Sequence, residues 1–403
     1  MADATRRSRG AALGLAAAAS AGLALLSFAS HGAGNHDDAF ILMVYVRNLL
    51  EHGTFEWNVG EGRVDGFTSL LDLLVKSAVA RLSGADVFQA TLRSTLACSI
   101  LGSWIALGIG YRAGRTARER LGLGAAAALL IASSPANTDA AAYLLEGPLF
   151  VACALALVAA ATAPGPLSGP RGIGLVLSGW LVVLARPEGL VLATGVLLAS
   201  CWQRRRDAGA RAPATVAGVF AIGVLAYFTW RILFFGSWAP NAYHAKTSAS
   251  RWNEIRDGLS YLLSYGATPL GATGLFPLLI APAALAFGPR APASERWRAA
   301  LPAAAGLGML AVVIGSGGDI YGGGRFLNVP ISLGLLALVL GCARATGGGR
   351  RLLVATLVAV GLVQVRTPSR ARAPRSPTSK ASGTAPASRT ATGASSSACG
   401  GQA

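Results

Sequence analysis

Two adjacent carboxylates, Asp37 and Asp38, follow directly on the first apolar run of the chain. A carboxylate between hydrocarbon and water is partly desolvated, which suits it to act as a general base. A neighbouring pair can also hold a divalent metal ion. Further groups with chemical potential recur at the ends of later apolar runs. LLEGPLF carries Glu146, ARPEG carries Arg186 and Glu188, WAPNAYHAKT carries Asn241, Tyr243, His244 and Lys246, and SGGDIYGGGRFLNVP carries Asp319 and Arg325. Each has a plainer reading: a charge that ends a span, a cation that snorkels, a glycine-rich turn. Taken together on one membrane face, the cations can hold a phosphate while a carboxylate takes a proton, the chemistry an anionic lipid headgroup would need.

The elements that must position these groups are apolar helices. The 403-residue chain is 53% hydrophobic and 13% charged, against about 25% charged in a soluble domain. Uncharged runs cover residues 10–35, 94–111, 147–170, 212–230, 299–318 and 326–343. Runs of about 18 or more such residues read as membrane spans. The expected fold is therefore an all-α polytopic membrane protein with about ten or eleven transmembrane helices and a long first extracytoplasmic loop, residues 31–93. The arginines before the first run and the small residues after it imitate a secretory signal. The length of the run and the spans that follow favour an uncleaved anchor. Five scattered cysteines without a CxxC suggest neither a disulfide framework nor a zinc site.

Charge gives the expected orientation. With the N-terminus cytoplasmic, the cytoplasmic loops are 112–120, 164–171, 203–211, 288–298 and 343–351. They hold 15 basic residues against three acids, Glu119, Asp207 and Glu295, the excess that cytoplasmic loops carry. The same alternation places 14 of the 18 acids on the other side. It requires that residues 67–82 not span. With Leu70, Leu71, Leu74, Ala78 and Leu82 on one stripe and Asp72 and Lys76 four apart on the other, that segment reads as an amphipathic helix on the outer surface. Residues 172–185 and 189–203 read as short helices meeting at ARPEG, where Pro187 enforces the break. The membrane domain is expected to end near residue 365. Residues 366–403 contain no Leu, Ile, Val or Phe and read as a disordered basic tail.

HDDAFILMVYVRNLLEHGTFEWNVGEGRVDGFTSLL resembles the first outer loop of the membrane-embedded GT-C glycosyltransferases. It is most similar to the branch with the terminal arabinofuranosyltransferases of actinobacterial cell walls and their proteobacterial relatives. LLEGPLF, LARPEGL, FFGSWAPNAYHAK and GGDIYGGGRFLNVP follow in that family's order, so the likeness spans residues 35–335. It implies transfer of a sugar from a polyprenyl-phosphate donor to a glycan, lipid or protein acceptor, usually with inversion. The expected setting is the extracytoplasmic face of a bacterial inner membrane. It implies that Asp37 or Asp38 is the base; proximity to the span end favours Asp37. It assigns donor binding to Lys246 and Arg325, with His244, Arg186, Tyr243 and Asn241 beside them. Glu146, Glu188 and Asp319 are further outer-face candidates. A divalent metal, if used, would sit on Asp37 and Asp38. No nucleic-acid partner is expected. Two departures stand out: Gly147 replaces the residue the family keeps between its glutamate and proline, and the chain lacks the further spans and soluble domain with which relatives continue, as if cut short. The rival readings are a transporter, which would show related halves and midplane polar residues, a polysaccharide polymerase or ligase, and a non-catalytic membrane protein.

Overall fold

The computed structural model describes residues 2–31, 36–208, 211–241, 243, 250–286, 293–319, 324–345 and 347–366. His244, Lys246 and the 367–403 tail thus lie outside the described residues. The chain is helical, with no strand among the described residues. The helices are α1 (Ala2–His31), α2 (Asp37–His52), α3 (Leu70–Ser83), α4 (Val87–Ala113), α5 (Ala117–Ala132), α6 (Pro135–Ala142), α7 (Gly147–Thr162) and α8 (Pro170–Ala185). They continue with α9 (Gly189–Ala208), α10 (Arg211–Phe235), α11 (Arg251–Gly266), α12 (Pro269–Ala286), α13 (Ala293–Gly315), α14 (Asn328–Arg344) and α15 (Gly347–Arg366).

Five of these are long and apolar enough to cross a membrane, or up to seven if the bent pairs α5–α6 and α11–α12 each make one span. Helices α7 and α8 are apolar but shorter, at 16 residues each. The core runs along α7 and α14, whose residues are buried on nearly every side. A helix apolar all round belongs inside a bundle, and these two carry the site at one end. The break expected at ARPEG is present: α8 stops at Ala185, α9 starts at Gly189, and Arg186, Pro187 and Glu188 turn between them.

Helix α3 corrects one expectation. It forms where residues 67–82 require it, and its 14 residues reach only about 21 Å, short of a bilayer's hydrocarbon core. Its polar side, however, is covered by protein rather than solvated, while the apolar stripe stays free to face lipid. Leu74, Ala78 and Leu82 are exposed, whereas Asp72, Lys76 and Ser77 are buried. Lys76 Nζ lies 2.6 Å from Asp72 Oδ2 and donates to the carbonyl of Leu144 at 3.1 Å. The i,i+4 spacing is compatible with a solvated pair or a buried one; the protein beneath decides. That carbonyl belongs to a residue with φ +58°, the one non-glycine with positive φ among the described residues. The ammonium thereby secures a left-handed turn that β-carbon sterics disfavour, two residues before Glu146.

Candidate active site

The segment that opens α2 is built by local capping. His36 is the N-cap, its Nδ1 accepting from the backbone N–H of Asp38 at 3.3 Å. Both aspartates stand in the first turn, where the helix dipole favours anions. The loop that follows is pinned from within α2. Tyr45 donates to the Val64 carbonyl at 2.6 Å and accepts from Gly66 N–H at 3.1 Å. Asn48 Nδ2 donates to the carbonyls of Glu56 and Trp57. Asp65 forms a buried pair with Arg231 of α10 at 2.5 Å, and its carbonyl accepts from Asn241 N–H at 2.8 Å. Ser69 caps α3 by accepting from Asp72 N–H, and Thr68 donates instead to Glu146 at 3.3 Å.

The folded loop closes over a cavity of about 120 Å³. Asp38, Thr68, Glu146, Arg186, Arg325 and Phe326 are among its lining residues. They come from α2, the first loop, the α6–α7 and α8–α9 junctions and the turn before α14, positions up to 288 residues apart in sequence.

Two charge clusters meet there. In one, Arg325 takes Asp319 in a bidentate grip at 2.5 and 3.1 Å and donates to Asp38 at 2.7 Å. Its Nη1 is 3.3 Å from His36 Nε2. In the other, Arg186 bridges Glu146 and Glu188, each at 2.5 Å. Phe326 links them, its ring 4.9 Å from the guanidinium of Arg186 and 5.2 Å from that of Arg325. Such stacking holds a cation in place without consuming its hydrogen-bond donors.

Burial, followed by the charge of Arg325, lowers the pKa of His36 from its ordinary 6.5, so the imidazole is neutral at pH 7. Burial pushes the Glu146 carboxyl up, but Arg186 and the other cations outweigh it and leave it below the ordinary value. Glu146 is therefore an anion that orients Arg186 and accepts from Thr68.

Of the opening pair, Asp38 lines the cavity, with its side chain 44% exposed, while Asp37 is 74% exposed and absent from the lining. Helical rotation turns consecutive residues about 100° apart, and Asp38 is the one aimed at the cavity. Asp319, Glu146, Glu188, Arg186 and Arg325 all join the clusters. Asn241 reaches the first loop through its backbone, and Tyr243 is exposed beside the Trp238 ring. Neither lines the cavity. His36, Thr68, Phe326 and the Asp65–Arg231 pair escaped the sequence reading. The only available signal was an arginine closing the apolar run at residue 231.

His36, Asp37 and Asp38 could together hold a metal ion, since one ligand atom from each lies within 4.8 Å of the others. Arg325 already occupies the inward side of Asp38 and His36, so an ion would sit on the Asp37 side. There it would neutralise the carboxylates and lower their basicity, making ion and base competing uses of the same oxygens.

Gly147 is explained by packing. A Cβ there would come within 2.4 Å of Asn328 Nδ2 and 2.7 Å of the Ala140 Cβ. Gly147→Ala is expected to lower stability by about 1–3 kcal/mol through overpacking, read as thermal unfolding in detergent. Unchanged unfolding would show that α6 and α14 can separate at no cost. A similar contact fixes Gly324, at φ +66°, whose Cβ would fall 2.3 Å from the Tyr265 ring. That turn delivers Arg325.

No family model matches the chain, and no curated protein matches it. Among solved structures it is similar to ArnT from Cupriavidus metallidurans bound to undecaprenyl phosphate, with a TM-score of 0.55 and 14% sequence identity, covering 86% of this chain and 62% of that one. Against ArnT from the same organism in the apo state the values are 0.42 and 13%, covering 85% and 75%. The chain thus spans 62% of the length of the ligand-bound structure. At this identity the likeness shows the fold alone, an all-helical architecture with several helices long and apolar enough to cross a membrane.

Proposed function

We propose that this chain is a membrane glycosyltransferase that moves a sugar from a polyprenyl-phosphate donor to an acceptor hydroxyl at the extracytoplasmic face of a bacterial inner membrane. The observation that carries this reading is Asp38, a half-exposed carboxylate lining a cavity with two stacked guanidiniums, in a fold shared with a protein bound to undecaprenyl phosphate. In this mechanism Asp38 takes the acceptor proton as the hydroxyl oxygen attacks the anomeric carbon, and the sugar–phosphate bond breaks to leave polyprenyl phosphate. Arg325, held by Asp319, orients Asp38. Arg186 faces the leaving phosphate.

The described cavity carries more carboxylates than cations once Glu188 and Asp319 are counted, so a phosphate needs further positive charge. Lys246 and His244, beyond the described residues, are proposed to supply it from the segment after α10. Residues 1–365 form the membrane domain in this reading, with 366–403 as a separate tail. The sugar is a hexose or a pentose. The acceptor is a glycan, lipid or protein on the same face.

Orientation is supported by the two ends of the central helices. Helices α7 and α14 begin at the cavity and end beside Arg298 and Arg344, with arginine-rich segments at that far end. Cytoplasmic loops carry that excess, which leaves the cavity outside.

The test is transfer of label in membrane vesicles containing the full chain and radiolabelled polyprenyl-phosphate pentoses and hexoses. Label is expected to move to an acceptor, or to water when none is present, in proportion to the chain. Absence of both, with solute flux across the same vesicles, would establish a transporter instead.

A further inference from the structure

Helix α11 carries Arg251, Glu254, Arg256 and Asp257 within 16 residues, too much charge for it to cross a membrane alone. The apolar α12 follows, and the two helices are bent by 109° at the break between them. Helix α12 runs parallel to α14, with Gly274 packed on Ile331 and Gly334 on Leu278. Both therefore leave the same interface, the one where α14 begins beside Arg325, and α11 lies crosswise to them at that level.

At about 100° per residue, α11 has three faces. Glu254, Gly258, Tyr261 and Tyr265 are buried on protein. Trp252, Ile255, Leu259 and Leu263 form an exposed apolar stripe, with Trp252 and Leu263 at 73% and 71% exposure. Asn253, Asp257, Ser260 and Ser264 form an exposed polar stripe beside it. Arg251 and Arg256, both exposed, stand at the two margins of the apolar stripe. A helix on the surface of a soluble protein needs two faces, one on protein and one in water. A third has a use where protein, hydrocarbon and water meet, which is at a bilayer interface. Tryptophan at that level, and arginines reaching past the stripe toward phosphate, fit the same placement.

The buried face ties this helix to the candidate active site. Gly258 brings α11 against the carbonyl of Ile314 at the end of α13, and Tyr261 and Tyr265 pack on Gly318 and Gly324. Those glycines immediately precede Asp319 and Arg325.

We infer that the apolar stripe of α11 is a bilayer-docking surface, seated in the boundary between acyl chains and headgroups of the leaflet at the candidate-site end, with Arg251 and Arg256 on lipid phosphates. Lipid there sets the height of the two tyrosines, and through them of the Asp319–Arg325 pair, relative to the membrane surface. The inference does not depend on the proposed transfer reaction.

The experiment places a nitroxide at one site at a time, through Trp252→Cys, Leu259→Cys, Leu263→Cys, Asn253→Cys, Ser260→Cys and Ser264→Cys. The full chain, with its native cysteines replaced by alanine, is reconstituted in vesicles of phosphatidylcholine and phosphatidylglycerol. All six positions are exposed, so the label displaces no core contact. Oxygen concentrates in hydrocarbon and a nickel chelate in water, and the ratio of their collisions with the label reports which medium surrounds it. That ratio is expected to be several-fold higher at residues 252, 259 and 263 than at 253, 260 and 264. With the native cysteines retained, the fluorescence difference between wild type and Trp252→Phe should be quenched by brominated phosphatidylcholine and spared by aqueous iodide. Nickel access equal on both stripes would put the helix in water, and oxygen access equal on both would make it part of a span. Low access to both reagents at residues 259 and 263 would mean that a protein partner covers the stripe. Each of these results, or quenching of Trp252 by iodide alone, overturns the assignment.

Discussion

Asp38→Asn is expected to lower the proposed sugar transfer by about 10²-fold or more, the usual contribution of a positioned general base, and Asp37→Asn to leave most of it. The asymmetry follows from where the two side chains stand. Asp38 lines the cavity and is oriented by Arg325 at 2.7 Å; Asp37 is 74% exposed on the next rotation of the helix. Asn keeps the size and one acceptor oxygen but cannot take the proton. The N-cap survives both changes, because the acceptor is His36 and the donor is the backbone of Asp38. The measurement is initial transfer rate at saturating donor, with chain abundance in the membrane as control. A large loss in Asp37→Asn with near-normal Asp38→Asn would return the role to Asp37. Two near-normal variants would leave the pair as interfacial charge and remove the base from the mechanism.

Arg325→Leu is expected to destabilise the membrane domain by about 3–5 kcal/mol, the cost of leaving a buried charge without its partner. Asp319 has a fully buried side chain, and Arg325 is 6% exposed between it and Asp38. The compensating change is Arg325→Leu/Asp319→Leu, which removes both charges and should recover much of the stability, though not activity, since Asp38 stays unoriented. Thermal unfolding in detergent distinguishes this from a purely ligand-facing arginine. If Arg325→Leu unfolds like the wild type and loses only donor affinity, its role is to hold phosphate. A pH signature accompanies it. His36 has a lowered folded-state pKa, so its unfolded form binds protons more readily, and stability falls as pH drops below 6.5 through that folded value. Burial is the larger cause and Arg325 the next; without the arginine, this acid-side loss should shrink.

Much of the charged cluster was legible in the chain because membrane helices confine polar chemistry to their ends. A carboxylate or cation beside an apolar run has few places to go, so Asp38, Glu146, Arg186, Glu188, Asp319 and Arg325 could be gathered from motif and position alone. Phe326 could not, since an aromatic beside a span resembles any interface residue until two guanidiniums are seen to stack on it. Nor could the partner of Asp65, which lies 166 residues away.

The sequence by itself determined the all-helical membrane class, the break at ARPEG and the short helix at 67–82, because apolar run length, proline and residue periodicity act locally. Only the tertiary structure decided which face of α3 is covered, which aspartate meets the cavity and which arginines are already neutralised. Those outcomes depend on what lies across a contact: Leu144 above Lys76, Arg325 opposite Asp38, two carboxylates on Arg186. A burial preference is a property of a pair of surfaces, and the sequence of one helix holds only half of it.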